Sequence, residues 1–121
     1  MTEANYAYEG LDRLLHERAR LSILTALMTT GSGRSFADLK RLCELTDGNL
    51  GRHLEILREA RLVTVSRRGR GRTAESTVKL SAGGRRAFLG YLEELERVLR
   101  DARGGESTGD EAAYALSLIH I

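Results

Sequence analysis

The chain of 121 residues contains no proline, one cysteine and only 2 lysines among its 19 basic residues. A single cysteine, Cys43, excludes an intramolecular disulfide and a paired-thiolate metal site, and it points to a reduced compartment. Without proline, every turn must be made by Gly, Asn, Asp or Ser, so the 13 glycines act as punctuation. No apolar run approaches the roughly 18 residues that span a bilayer. Residues 1–10 have neither the basic start nor the apolar stretch of a secretory signal. The expectation is a cytoplasmic protein with no membrane partner. His-Glu-x-x-His, clustered carboxylates and a phosphate-cradling glycine loop between strand and helix are also missing. We therefore expect neither an enzyme nor a metal or cofactor protein.

What the sequence has is arginine, 17 of the 19 basic residues, the side chain preferred for bidentate contacts to phosphate and guanine. The formal net charge is only +2. Counted by segment it is −1 over residues 1–33, +5 over 34–80, +1 over 81–103 and −3 over 104–121. Such asymmetry suggests an anionic partner for the middle of the chain. The length suits one domain, and 41% hydrophobic with 30% charged residues suits a modest core under a busy surface.

Helical spacing of Leu11, Leu14, Leu15, Ala19, Leu21, Ile23, Leu24, Leu27 and Met28 predicts a helix over 11–28, stopped by Gly31-Ser32-Gly33. Ser35 is placed to cap a second helix reaching Leu45, with Phe36, Leu39, Leu42 and Cys43 on one stripe and Asp38 in capping-box position. Thr46-Asp47-Gly48 makes a turn and a new start. In the third helix, 47–60, Leu50, Leu54 and Leu57 face inward and Asn49, Arg52, Ile56 and Glu59 outward. The period then shortens to two: Leu62 to Ser66 and Thr77 to Leu80 read as paired strands around a basic tip at 67–76. A last helix over 81–102 carries Phe88, Leu92, Leu95 and Leu99, widened by Tyr91 and Val98, and ends at Gly104-Gly105. The organisation is an arm at 1–10, a domain at 11–103, and a linker and tail at 104–121. The tail string Leu116-Ser117-Leu118-Ile119-His120-Ile121 resembles translated sequencing-adapter read-through; a short helix or strand docking on the dimer is the alternative.

This order is mainly α with a two-stranded β wing, α-α-α-β-β-α, a winged helix-turn-helix by arrangement. Three stretches resemble small winged-helix transcriptional regulators of the MarR/ArsR-like type. They are His16-Glu17-Arg18-Ala19-Arg20-Leu21-Ser22-Ile23-Leu24, Leu45-Thr46-Asp47-Gly48-Asn49-Leu50-Gly51-Arg52-His53-Leu54 and Leu80-Ser81-Ala82-Gly83-Gly84-Arg85. The resemblance covers about residues 11–100. It departs at Gly51, where a better helix former is common, and at Gly83-Gly84, which loosens the start of the last helix. It implies a DNA-binding regulator, usually a homodimer, with the third helix in the major groove of double-stranded DNA and the wing along backbone or minor groove. The ArsR-type metal sensors use two cysteines two residues apart, whereas Leu42-Cys43-Glu44 offers one thiol; Cys43 reads as buried and inert.

Asn49 and Arg52, near the amino end of the third helix, are the candidate base readers, since Asn pairs with adenine and Arg with guanine in bidentate fashion. In the alternative, Asn49 completes the turn and Arg52 touches phosphate. His53 falls nearer the buried side, packed or facing phosphate. Thr46 and Asp47 read as caps. Ser35 is a cap that could also present amides to a phosphate. Arg67, Arg68, Arg70 and Arg72 are the candidates for backbone or minor-groove contact. Leu11, Leu14, Leu15, Tyr91, Leu95, Val98 and Leu99 are the candidates for a homodimer contact. The rival to DNA binding is a winged helix used as a protein-interaction module, with Ile56 on the exposed face. Neither an operator nor an effector is legible.

Overall fold

The computed structural model describes residues 5–71 and 75–104, so Arg72 and the tail lie outside the described residues. The chain makes α1 (Arg18–Met28), β1 (Arg34–Ser35), α2 (Phe36–Cys43), α3 (Asp47–Glu59), β2 (Val63–Arg68), β3 (Glu75–Leu80) and α4 (Ala82–Ala102). The strands form one antiparallel sheet in the order β1-β3-β2. The winged-helix arrangement expected from the sequence is present, with one strand more than foreseen. A strand of two residues is too short to leave a periodic signal. It is aligned by Gly33, whose φ of +90° and whose approach to the Val78 carbonyl leave no room for a Cβ.

The first helix is shorter than its apolar spacing predicted. The Asp12 carboxylate accepts from the Leu14 amide at 2.8 Å, and the Asp12 carbonyl accepts from Leu15 and His16 at 3.0 and 2.8 Å. That local bonding competes with helix, and residues 11–17 form turns. The helix starts where Glu17 offers its two carboxylate oxygens to the Ala19 and Arg20 amides, each at 3.1 Å. The spacing survived because the turn folds Leu15 onto the same core that α1 covers.

Ser35 caps α2 by accepting from the Asp38 amide at 3.1 Å, and Glu44, in the left-handed region at φ 52°, ends it two residues early. Its apolar stripe is Phe36, Leu39 and Cys43. Leu42 stands about 100° round from Cys43 and is 45% exposed, against expectation. Thr46 caps α3 through the Asn49 amide at 3.2 Å, while Asp47 pairs with Lys40 at 3.0 Å. The wing strands are longer than predicted. Their register runs from Val63↔Leu80 to Arg68↔Glu75, so Arg67 and Arg68 are ladder residues rather than tip residues.

The core gathers Ile23, Leu24 and Leu27 of α1, Leu39 of α2, Leu50, Leu54 and Leu57 of α3, Val63, Val78, and Phe88 and Tyr91 of α4. Leu15 and Tyr91 were expected at a contact between copies. At 4% and 1% exposure they belong to this chain's own core instead, because α4 turns its Phe88 and Tyr91 rings inward, stacked 6.1 Å apart. Among the described residues no helix is long and apolar enough to cross a membrane.

The seam between α4 and the sheet is set by Ser81 and Gly84. The Ser81 hydroxyl donates to the Arg61 carbonyl at 2.7 Å and accepts from the Gly84 amide at 2.8 Å. A Cβ on Gly84 would stand 1.9 Å from the Leu62 carbonyl oxygen, backbone against backbone. The second glycine of the Gly83-Gly84 pair is thus a packing requirement. Gly84→Ala is expected to cost about 1–3 kcal/mol or more by overpacking. Gly51→Ala, in a helix interior with open space around the added methyl, is expected to stabilise by about 0.5–1 kcal/mol. Urea unfolding of the two variants checks the opposite signs. Cys43 is half-buried and burial pushes its thiol above the ordinary range, against a smaller downward pull from Arg34. Ellman's reagent at neutral pH should therefore react with it more slowly than with glutathione, and as fast once the protein is unfolded.

Candidate nucleic-acid interface

α3 buries Leu50, Leu54 and Leu57 and turns Gly48, Arg52, Glu55 and Glu59 outward as its outermost ridge, by helical geometry and exposure alike. Asn49 is exposed on one shoulder of that ridge, and Ile56, half-buried, lies beside it. Asn49 and Arg52 line a recess of about 420 Å³ with Arg18, Ser22 and Cys43, between the start of α1 and the end of α2. Glu55 was not singled out from the sequence. It occupies the centre of the ridge, paired with Arg58 one turn on, which holds the Glu55 carboxyl below its ordinary value. Its spacing of three from Arg52 was the available signal.

The wing contributes in two directions, because neighbouring strand residues point to opposite faces. Val63, Val65 and Arg67 share the inner face of β2, with Val63 in the core and Val65 40% exposed. At the end of that row Arg67 lines a recess of about 320 Å³ with Ser35, Phe36 and Ala37 at the start of α2 and with Glu75 and Ser76 of β3. Two candidates 32 positions apart in sequence, Ser35 and Arg67, are thereby brought together. A neighbouring groove shares Phe36 and Ser76 with this recess and runs on past Val65 to Gly51, Glu55 and Arg58 of α3. Arg68 lies on the other face of β2, opposite Glu75, and Arg70 is exposed at the tip.

Beneath the amino-terminal half of α3 lies a polar cluster in which buried His53 meets half-buried Glu17 and Arg20. His53 is 8% exposed, which places it with the packed residues and away from an open surface. Its Nδ1 stands 3.3 Å from Arg20 Nη1 and 3.6 Å from Glu17 Oε2. Arg20 also donates through Nε to the Leu14 carbonyl at 2.6 Å. Burial pushes the ring's pKa below the ordinary histidine value; Glu17 pulls it up, and Arg20 and Arg52 push it down further. Burial raises the Glu17 carboxyl, but the Ala19 and Arg20 amides, with His53 and Arg20 as charges, outweigh it and hold the group below its ordinary value.

The amino-terminal segment lies along α4. The Tyr8 hydroxyl donates to Asp101 at 2.8 Å, the Gly10 amide donates to Glu94 at 3.0 Å, and the Arg97 guanidinium sits 5.0 Å over the Tyr8 ring. His16 reaches the Tyr91 hydroxyl from the same segment. Of the residues expected between copies, Leu11 and Leu95 pack partly on this chain's own core, and Leu14, Val98 and Leu99 are half-buried on the surface. Leu89 of α4 is 47% exposed. It falls outside the stripe read from the sequence. Among the described residues no group of three or more His, Cys, Asp or Glu side chains is arranged to hold a metal ion.

The fold is similar to that of a transcriptional regulator homologue from Pyrococcus horikoshii OT3, with a TM-score of 0.69 and 22% identity over 75% of this chain and 89% of that one. It is also similar to a MarR transcriptional regulator from Methanosarcina mazei Go1, with a TM-score of 0.65 and 14% identity over 93% and 83% of the two chains. A third similar structure is the Mycobacterium tuberculosis transcriptional regulator MOSR in complex with DNA, with a TM-score of 0.62 and 18% identity over 93% and 81%. Comparison with curated protein sequences gives no match. The family described as the winged helix DNA-binding domain matches residues 19–99, from the first turn of α1 almost to the end of α4. With two-thirds of its length matched in this way, the chain belongs to the winged helix DNA-binding domain family.

Proposed function

We propose that the protein is a transcriptional regulator that binds double-stranded DNA, with α3 in the major groove and the wing on the backbone or in the minor groove. The observation that carries the reading is the continuous surface from the α3 ridge through Phe36 and Ser76 to the recess that Ser35 and Arg67 line together with Glu75. A helix amino terminus beside an arginine suits a phosphate. It lies one groove away from side chains able to read base edges. Family membership and the DNA-bound MOSR structure support the same reading. Asn49 and Arg52 read bases; Ser35, Arg67, Arg68 and Arg70 contact the backbone. Glu55, as an acceptor on the ridge, selects against wrong partners by charge and accepts from cytosine where it fits.

The protein acts as a homodimer through Leu14, Val98 and Leu99 with Leu89, since two α3 helices about 34 Å apart match half-sites one helical turn apart. Sedimentation of the protein against a Val98→Glu/Leu99→Glu variant checks the dimer: a wild-type mass of one chain overturns it.

Selection of bound duplexes from a random pool, followed by titration at several salt concentrations, tests the DNA reading, and absence of salt-sensitive binding overturns it. Arg67→Ala is expected to weaken every duplex alike and to flatten the salt slope by about one unit. Arg52→Ala is expected to cost about 1–3 kcal/mol and to relax preference at one base position. Glu55→Gln should strengthen binding to all duplexes and lower the preference among them.

A further inference from the structure

The His53 ring sits between a group that can only donate and a group that can only accept. Nδ1 lies 3.3 Å from the Arg20 guanidinium and 3.6 Å from the Glu17 carboxylate. A guanidinium has no acceptor and a carboxylate has no donor. A bare Nδ1 therefore bonds Arg20, and a protonated Nδ1 bonds Glu17; the atom cannot serve both. Neither partner is idle. Arg20 is anchored through Nε to the Leu14 carbonyl at 2.6 Å, and Glu17 Oε2 accepts from the Arg20 amide at 3.1 Å as part of the α1 cap. Turning Oε2 toward a protonated ring loosens that cap while the bond to Arg20 is lost. The other charged or titratable groups facing the ring's recess are Arg18 from α1, Cys43 and Glu44 from the end of α2, and Arg52 from α3 itself.

We propose that Arg20 and His53 are positioning residues of the DNA-reading helix, and that a proton on His53 Nδ1 moves its bond from Arg20 to Glu17 and displaces Asn49 and Arg52. The proposal rests on the reading of α3 as the helix that contacts DNA. Arg52 is the next residue to His53 on α3, and Asn49 is one turn ahead. Burial and the two arginines outweigh Glu17 and hold the ring below the ordinary histidine value, which favours the neutral ring with Nδ1 facing Arg20 at 3.3 Å. Glu17, held below its ordinary value, remains ionised as the pH falls and is ready to accept the new proton. Protonation also adds a positive charge near the duplex, which strengthens binding to any sequence. Overall affinity and discrimination between sequences thus move in opposite directions with acid, a signature that a purely electrostatic or purely structural histidine lacks.

The test uses the full chain with a duplex selected from a random pool and a scrambled duplex of equal length, at fixed ionic strength, between about pH 7.5 and about pH 5.5. The ratio of the two affinities is expected to fall at least about fivefold on acidification, the lower end of coupling between linked sites. In His53→Asn, whose amide oxygen takes the place of Nδ1 without titrating, the ratio should be level across the range, whatever its absolute size. Nitrogen-15 spectra of the unsubstituted protein need no variant to fold: the proton is expected on Nε2 at neutral pH, and a proton on Nδ1 overturns the proposal. A wild-type ratio that does not change with pH overturns it alone. A protein that binds no duplex overturns the DNA reading and this proposal together.

Discussion

Among the described residues, each of the four helices begins at a side chain that accepts the hydrogen of an amide in its own first turn: Glu17, Ser35, Thr46 and Ser81. A chain without proline has no residue that fixes φ at a helix start, and these caps supply the missing instruction. The rest of the fold follows from where they stand. Glu17 places the start of α1 against α3, Ser35 places the start of α2 against the wing, and Ser81 ties the start of α4 to the carbonyls that leave α3. Three of the caps thereby decide an inter-helix or helix-to-sheet contact as well as a boundary.

Much of this was legible. Ser35, Thr46-Asp47-Gly48 and the Leu50, Leu54, Leu57 spacing located α2 and α3 because caps and periodicity agreed, and the change of period after Arg61 located the wing. Three features escaped. Glu17 is a rarer cap than Ser or Thr, and the apolar spacing ran unbroken through it, so α1 was extended back to Leu11. Leu15 and Tyr91 were assigned to a partner because an apolar stripe does not say whose core it covers; the His16 contact and the Phe88 stack turn Tyr91 inward. β1 is two residues long, below what any pattern can report.

The candidate interface was legible as residue types but not as groupings. Arginines at 67 and 68 look equivalent in sequence, yet strand alternation sends them to different faces, and only Arg67 joins Ser35. The helical angle of His53 alone places it nearer the buried side, packed or facing phosphate, and says nothing of its partners. Its partners, Glu17 and Arg20, come from a different helix and are 36 and 33 positions away, a separation at which a single sequence carries no pairing signal. Charge follows the same logic. The +5 segment contains six acidic residues, and in the fold Asp38, Asp47 and Glu55 are matched with Arg41, Lys40 and Arg58.

The register of the wing is fixed at its base, where Val63 and Val78 are buried, and the ladder then runs outward without interruption to Arg68↔Glu75. Side-chain facing along β2 is therefore decided in the core and merely inherited by the arginines. Residues beyond the ladder can be added or removed without reassigning Arg67 and Arg68 to new faces, whereas inserting or deleting one residue within β2 before them would exchange their faces. The reach of the wing and the chemistry of its faces are thus separately adjustable: length varies at the tip, and orientation is inherited from the base.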